Sequence, residues 1–115
     1  MELSCRDECG VAVVNIVGEL DDGSSAELGQ FFDRLLDEGR RQFVFNLRGV
    51  EFIDSSGLAI LVRCFQHARS NAARFLLANL TSPVRRAFEL TRLDRAFEIR
   101  SDVDEAIQQC TGEQR

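Results

Sequence analysis

The chain has 115 residues, of which 44% are hydrophobic and 29% charged, and its formal net charge is −5. That length supports one domain with a real core and leaves no room for two. The acidic balance argues against nucleic acid as the main partner.

No apolar run approaches the roughly 18 residues of a membrane helix. The opening Met-Glu-Leu-Ser-Cys-Arg lacks the basic and then apolar pattern of a secretion signal, so a cytoplasmic protein with no membrane insertion is expected. All 14 basic residues are arginine, which removes lysine chemistry. Cys5, Cys9, Cys64 and Cys110 form no CxxC pair and His67 is the sole histidine, so neither a metal site nor a cofactor is expected. In a reducing compartment the thiols are free. A redox bridge between Cys5 and Cys9 is the alternative that their spacing leaves open.

In chain order, residues 2–8 and 11–17 read as two strands joined at Gly10. The run Val11-Ala12-Val13-Val14-Asn15-Ile16-Val17 is nearly all apolar, as a strand covered on both faces should be. The first segment is more polar and suits a sheet edge. Ser24 and Glu27 have capping-box spacing, and the helix they start carries Leu28, Phe31, Phe32, Leu35 and Leu36 on one side. Gly39 is placed to end it.

The apolar run Phe43 to Leu47 reads as a third strand, and Phe52-Ile53 as a second apolar anchor after a turn. Asp54-Ser55-Ser56-Gly57 then leads into a helix over about 56–69. Leu58, Leu61, Val62, Phe65 and Ala68 form its core side, which leaves Ile60, Arg63 and His67 outward. A fourth strand covers 74–78, and Pro83 fits the first turn of a helix that buries Val84, Ala87, Phe88 and Leu90. Residues 96–99 form a last strand. Asp102 and Glu105 box a final helix with Val103, Ala106 and Ile107 inward, and residues 111–115 read as a frayed tail.

The order ββαβαβαβα predicts an α/β fold: one domain over 1–110, a mostly parallel sheet with an antiparallel edge strand, and about four helices. Asp21 and Asp54 both leave strands at the same end of that sheet and can converge. Ser55 and Ser56 arrive at a helix start, where unpaired N–H groups and the dipole favour negative charge. Capping by Asp54 or Ser55 is the plainer use of the same residues. As a catalytic nucleophile either serine lacks a base, because His67 lies about three turns down the helix at 1.5 Å per residue. No phosphate-cradling glycine loop is present. The chain does not read as an enzyme.

Several pieces resemble the STAS-domain family, specifically the bacterial anti-sigma-factor antagonists. They are Gly18-Glu19-Leu20-Asp21, Phe45-Asn46-Leu47, Phe52-Ile53-Asp54-Ser55-Ser56-Gly57-Leu58, Ser82 to Leu90, and Leu93 to Ile99. They run in order over nearly the whole chain, and the Asp-Ser-Ser-Gly-Leu run is the specific one. The resemblance implies phosphorylation of Ser55 by a partner, a GHKL-type serine kinase that doubles as an anti-sigma factor. A PP2C-type phosphatase would reset the switch. Asp21, Asp54, Ser56 and Gly57 would neighbour the switch serine, and Ser24, Ile60 and Arg63 would meet the partner.

Two other readings share parts of this pattern. A STAS scaffold or accessory subunit of a stress-signalling or lipid-transport complex needs no phosphorylatable Ser55. A small-molecule or nucleotide binder at the strand-end crevice has acidic charge against it.

Overall fold

The computed structural model describes residues 1–112. Its elements are β1 (Glu2–Glu8), β2 (Val11–Val17), α1 (Asp22–Asp37), β3 (Gln42–Gly49) and α2 (Ser55–Ser70). They continue with β4 (Arg74–Ala78), α3 (Ser82–Thr91), a 3-10 turn (Leu93–Arg95), β5 (Glu98–Arg100) and α4 (Val103–Gly112). The five strands form one sheet in sequence order, antiparallel between β1 and β2 and parallel elsewhere. The hairpin between β1 and β2 turns on Cys9 and Gly10, with φ of 55° and 79°. Two central residues at positive φ match the right-handed twist of the flanking strands.

Strands added one after another by right-handed crossovers place every connecting helix on the same face. Accordingly α1, α2 and α3 cover one side, with Leu28, Phe32, Leu61 and Phe88 packed on Val14, Phe43, Phe45 and Phe75. Only α4, which follows the last strand, covers the other, where Val103, Ala106 and Ile107 meet Val11, Val13, Val44 and Leu76. This division explains the unbroken apolar run in β2, whose alternate residues serve two cores. Phe32 sits at the centre of the larger core, with ring centroids 4.8 Å from Phe43 and 5.7 Å from Phe45. Such tilted and edge contacts add about 0.5–1.5 kcal/mol per pair beyond area burial.

Five local expectations are corrected. The first helix begins at Asp22, not Ser24: Asp21 is the N-cap and Ser24 its capping-box partner. The Asp21 carboxylate reaches the Ser24 N–H, so the cap falls one turn earlier than the Ser24–Glu27 spacing suggested. On α2 the buried residues are Gly57, Ile60, Leu61, Cys64 and Ala68, while Leu58, Val62 and Phe65 are half-buried. The helix packs against α1 as well as the sheet, which turns its covered side toward Ile60. Leu90 stands 76% exposed, because the chain leaves α3 through a left-handed Arg92 and packs Leu93 on the core in its place. Pairing of β5 begins at Glu98, with Phe97 buried just before it. Of the expected tail, Thr111 and Gly112 belong to α4, and residues 113–115 lie outside the described residues.

Candidate functional site

Beyond the ends of β2 and β3 the two chains stay paired for one more step. Leu20 and Ile53 form a parallel bridge, with the Leu20 N–H donating to the Phe52 carbonyl (3.0 Å) and the Asp54 N–H donating to the Leu20 carbonyl (3.2 Å). The next residue in each chain is an aspartate, and each aspartate caps a helix. Asp21 and Asp54 share an extended backbone, with φ and ψ of −136° and −170° and of −112° and −171°. The sheet thus sets two carboxylates and two helix N-termini side by side, as the parallel-strand argument anticipated.

Each carboxylate does capping work. Asp21 Oδ1 accepts the Ser24 N–H at 3.1 Å while Ser24 Oγ accepts the Asp21 N–H at 3.0 Å. Asp54 Oδ1 accepts the Gly57 N–H at 2.9 Å. The helix starts are tied together by Ser25, whose hydroxyl donates to the Asp21 carbonyl (2.6 Å) and lies 3.2 Å from the Ser56 carbonyl. Gly57 is buried where the helix crosses the Leu20 carbonyl, too close for any side chain.

Ser55 differs from all of these. It is the first residue of α2, it is exposed, and its hydroxyl makes no hydrogen bond among the described residues. Asp54 takes the capping role, so the alternative use of Ser55 as the cap falls away. Exposed Glu19, Asp22 and Glu51 belong to the same end of the sheet. His67 is twelve residues further along α2, which is about 18 Å at 1.5 Å per residue, and its Nδ1 pairs with Asp33 of α1 at 3.0 Å.

The residues expected to meet a partner separate. Ser24 is only 8% exposed, and its hydroxyl donates to the Glu19 carbonyl at 2.8 Å, so it is spent inside the fold. Ile60 is 9% exposed and packs toward Gly29 of α1, not outward. Arg63 is exposed as anticipated and pairs with Asp33 at 3.0 Å. Ile60 and Arg63 line a shallow groove of about 280 Å³ between the helices, together with Ala26, Gly29, Gln30 and Asp33.

Phe52, taken as a core anchor, is 48% exposed in the loop leading to Ser55. An apolar residue two positions before a capping aspartate gives no periodicity from which its direction could be read. Ser25 was likewise missed as the tie between the helices, because its second acceptor is thirty-one residues away in sequence.

The STAS domain profile matches residues 2–106. Over 105 residues the chain is 30% identical to the anti-sigma-F factor antagonist RsfB of Mycobacterium tuberculosis, covering 91% of this chain and 85% of that one. The crystal structure of an anti-sigma factor antagonist from Mycobacterium paratuberculosis superposes with a TM-score of 0.85 at 28% identity, covering 94% of this chain and 92% of that one. The unphosphorylated form of the antagonist SpoIIAA superposes at 0.80 over 96% of this chain and 97% of its own. At 21% identity that likeness establishes the fold alone. With one five-stranded sheet and four helices among the described residues, and a profile match over nearly its whole length, the chain belongs to the STAS domain family.

Proposed function

We propose that this chain is an anti-sigma-factor antagonist whose grip on its partner is controlled by phosphorylation of Ser55. The observation that carries the reading is the contrast at the helix starts. Asp21, Ser24, Ser25 and Asp54 are all engaged in hydrogen bonds, while the Ser55 hydroxyl beside them is exposed and unengaged. Relatives named as anti-sigma factor antagonists support the partner class. The partner proposed is a GHKL-type serine kinase that is itself the anti-sigma factor, with a PP2C-type phosphatase restoring the hydroxyl.

A phosphate brings about −1.5 to −2 charges at neutral pH. Within the domain, the positive end of α2 accommodates that charge, so the fold has no reason to rearrange. At a docked surface the same charge must be desolvated beside Asp21 and Asp54, and like-charge contacts cost several kcal/mol. About 4 kcal/mol corresponds to a thousandfold loss of affinity. The chain acts here as substrate and ligand, with the phosphoryl transfer belonging to the partner.

Incubation of the purified chain with ATP and candidate GHKL-type kinases from its own source, followed by peptide mass spectrometry, tests the assignment. Phosphate on Ser55, kinase binding retained by Ser55→Ala and lost by Ser55→Glu, is the expected result. Full binding by the phosphorylated chain, or phosphate elsewhere with none on Ser55, overturns it and favours a scaffold role.

A further inference from the structure

On the sheet face that carries α4, the carboxyl ends of β3 and β4 open into a crevice of about 380 Å³ lined by Arg6, Asn46, Arg48, Asn79, Asp102 and Asp104. Strand register explains the gathering. Arg6 lies opposite Val13, which packs on α4, and Asn46 and Arg48 follow Val44 on the same side of β3. The floor is a chain of amides: Asn79 Nδ2 donates to Asn46 Oδ1 (3.0 Å) and Asn46 Nδ2 donates to Asn15 Oδ1 (2.8 Å). The Arg48 N–H donates to the same Asn46 oxygen at 3.2 Å, which fixes the orientation of that amide.

The walls carry opposite charge. Arg6 and Arg48 come from β1 and β3, while Asp102 and Asp104 come from the start of α4, which follows β5 at the far side of the sheet. Arg6 is held by Glu8 at 2.9 Å, and Asp102 Oδ1 accepts the Glu105 N–H at 2.8 Å. Arg48 and Asp104 make no ion pair among the described residues, with each other or with anything else. Two arginines and two aspartates therefore line one hollow, with Arg48 and Asp104 unpaired among the described residues.

We infer that this crevice is a binding site for a small zwitterion of the amino-acid class. The carboxylate of such a ligand pairs with Arg48 and Arg6, and its ammonium with Asp104 and Asp102. The amide floor supplies the remaining donors and acceptors. All four charged side chains are exposed, so the selection is one of attraction: a ligand carrying both charges is drawn by the arginines and by the aspartates, whereas a simple anion or cation is drawn by one pair and repelled by the other. The inference does not depend on the reading of Ser55, which does not line the crevice.

The test is a titration of the full ¹⁵N-labelled chain with the common protein amino acids, one at a time, each to about 50 mM or to its solubility limit, a range that detects dissociation constants in the millimolar range. The expected result is saturable shifts of the Asn46 and Asn79 side-chain amides with at least one amino acid and none with acetate or ethylammonium. Arg48→Gln and Asp104→Asn each weaken that binding by about tenfold or more, with amide dispersion showing both variants folded, and Ser55→Ala leaves it unchanged. No saturable shift with any amino acid, equal shifts with acetate or ethylammonium alone, or undiminished binding in the two charge variants overturns the proposal.

Discussion

Gly57 presses its bare Cα against the backbone of Leu20 so closely that a Cβ there would lie 2.1 Å from the Leu20 carbonyl oxygen. That oxygen also accepts the Asp54 N–H. The contact seats the first turn of α2 on the end of β2, and it sets the height at which Ser55 is presented. Replacement by alanine must push the helix start away from the sheet. Gly57→Ala is expected to lose about 2 kcal/mol or more, in the range of core overpacking, measured by urea unfolding. Gly112→Ala, with open space around it, should stay within about 0.5 kcal/mol of the parent.

Asp54 and Ser55 are neighbours with separable jobs. The Asp54 carboxylate accepts the Gly57 N–H, so Asp54→Ala should cost about 1 kcal/mol, and Asn, which caps equally well, should cost much less. Ser55→Ala and Ser55→Glu should each unfold within about 0.5 kcal/mol of the parent, since the side chain is exposed at the positive helix end. A large stability loss in Ser55→Glu would show that the site does not tolerate added charge.

Ile60 separates an outward surface residue from a packed one. It is 9% exposed and sits between α2 and Gly29 of α1. Ile60→Ala should therefore cost about 2–4 kcal/mol by chemical denaturation, the range for a buried aliphatic truncation. A cost below about 0.5 kcal/mol would mean that the side chain is on the surface after all.

The chain has no lysine and no tyrosine, so cysteines dominate its titration between neutral pH and the arginine range. Burial pushes the Cys64 thiol from 9.0 up to about 12. Below pH 9 the thiol is protonated in both the folded and unfolded chain, and its contribution to stability is fully present. Between about 9 and 12 the unfolded chain ionises first, and that contribution is lost at up to 1.4 kcal/mol per pH unit. Urea midpoints measured from pH 8 to 11 should fall, and fall less in Cys64→Ala. In the same samples exposed Cys9 should react with a thiol reagent at once, and buried Cys64 and Cys110 only on unfolding.

Much of this was legible in residue order, and the places where it was not share one cause. A run such as Val11 to Val17, seven residues long, rich in β-branched side chains and apolar at odd and even positions alike, reads as a strand with cover on both faces. The order of strand and helix patterns then dictates the parallel sheet and its antiparallel edge. Ser55 is likewise local: Asp-Ser-Ser-Gly before a helical pattern places a serine on a first helical turn without reference to anything distant.

What only the tertiary structure decided is direction. Helical period gives the angles between Leu58, Ile60, Leu61 and Phe65, but not which of those directions meets the sheet and which meets α1. Glycine at position 29 made room for Ile60, and that vacancy lies thirty-one residues away. The aspartate that caps α1, the burial of Ser24, the outward turn of Phe52 and the pairing of Ser25 with the Ser56 carbonyl follow from the bridge between Leu20 and Ile53. A hydrogen bond between two chain segments is set by how the sheet brings them together, and composition or spacing within either segment carries no record of it.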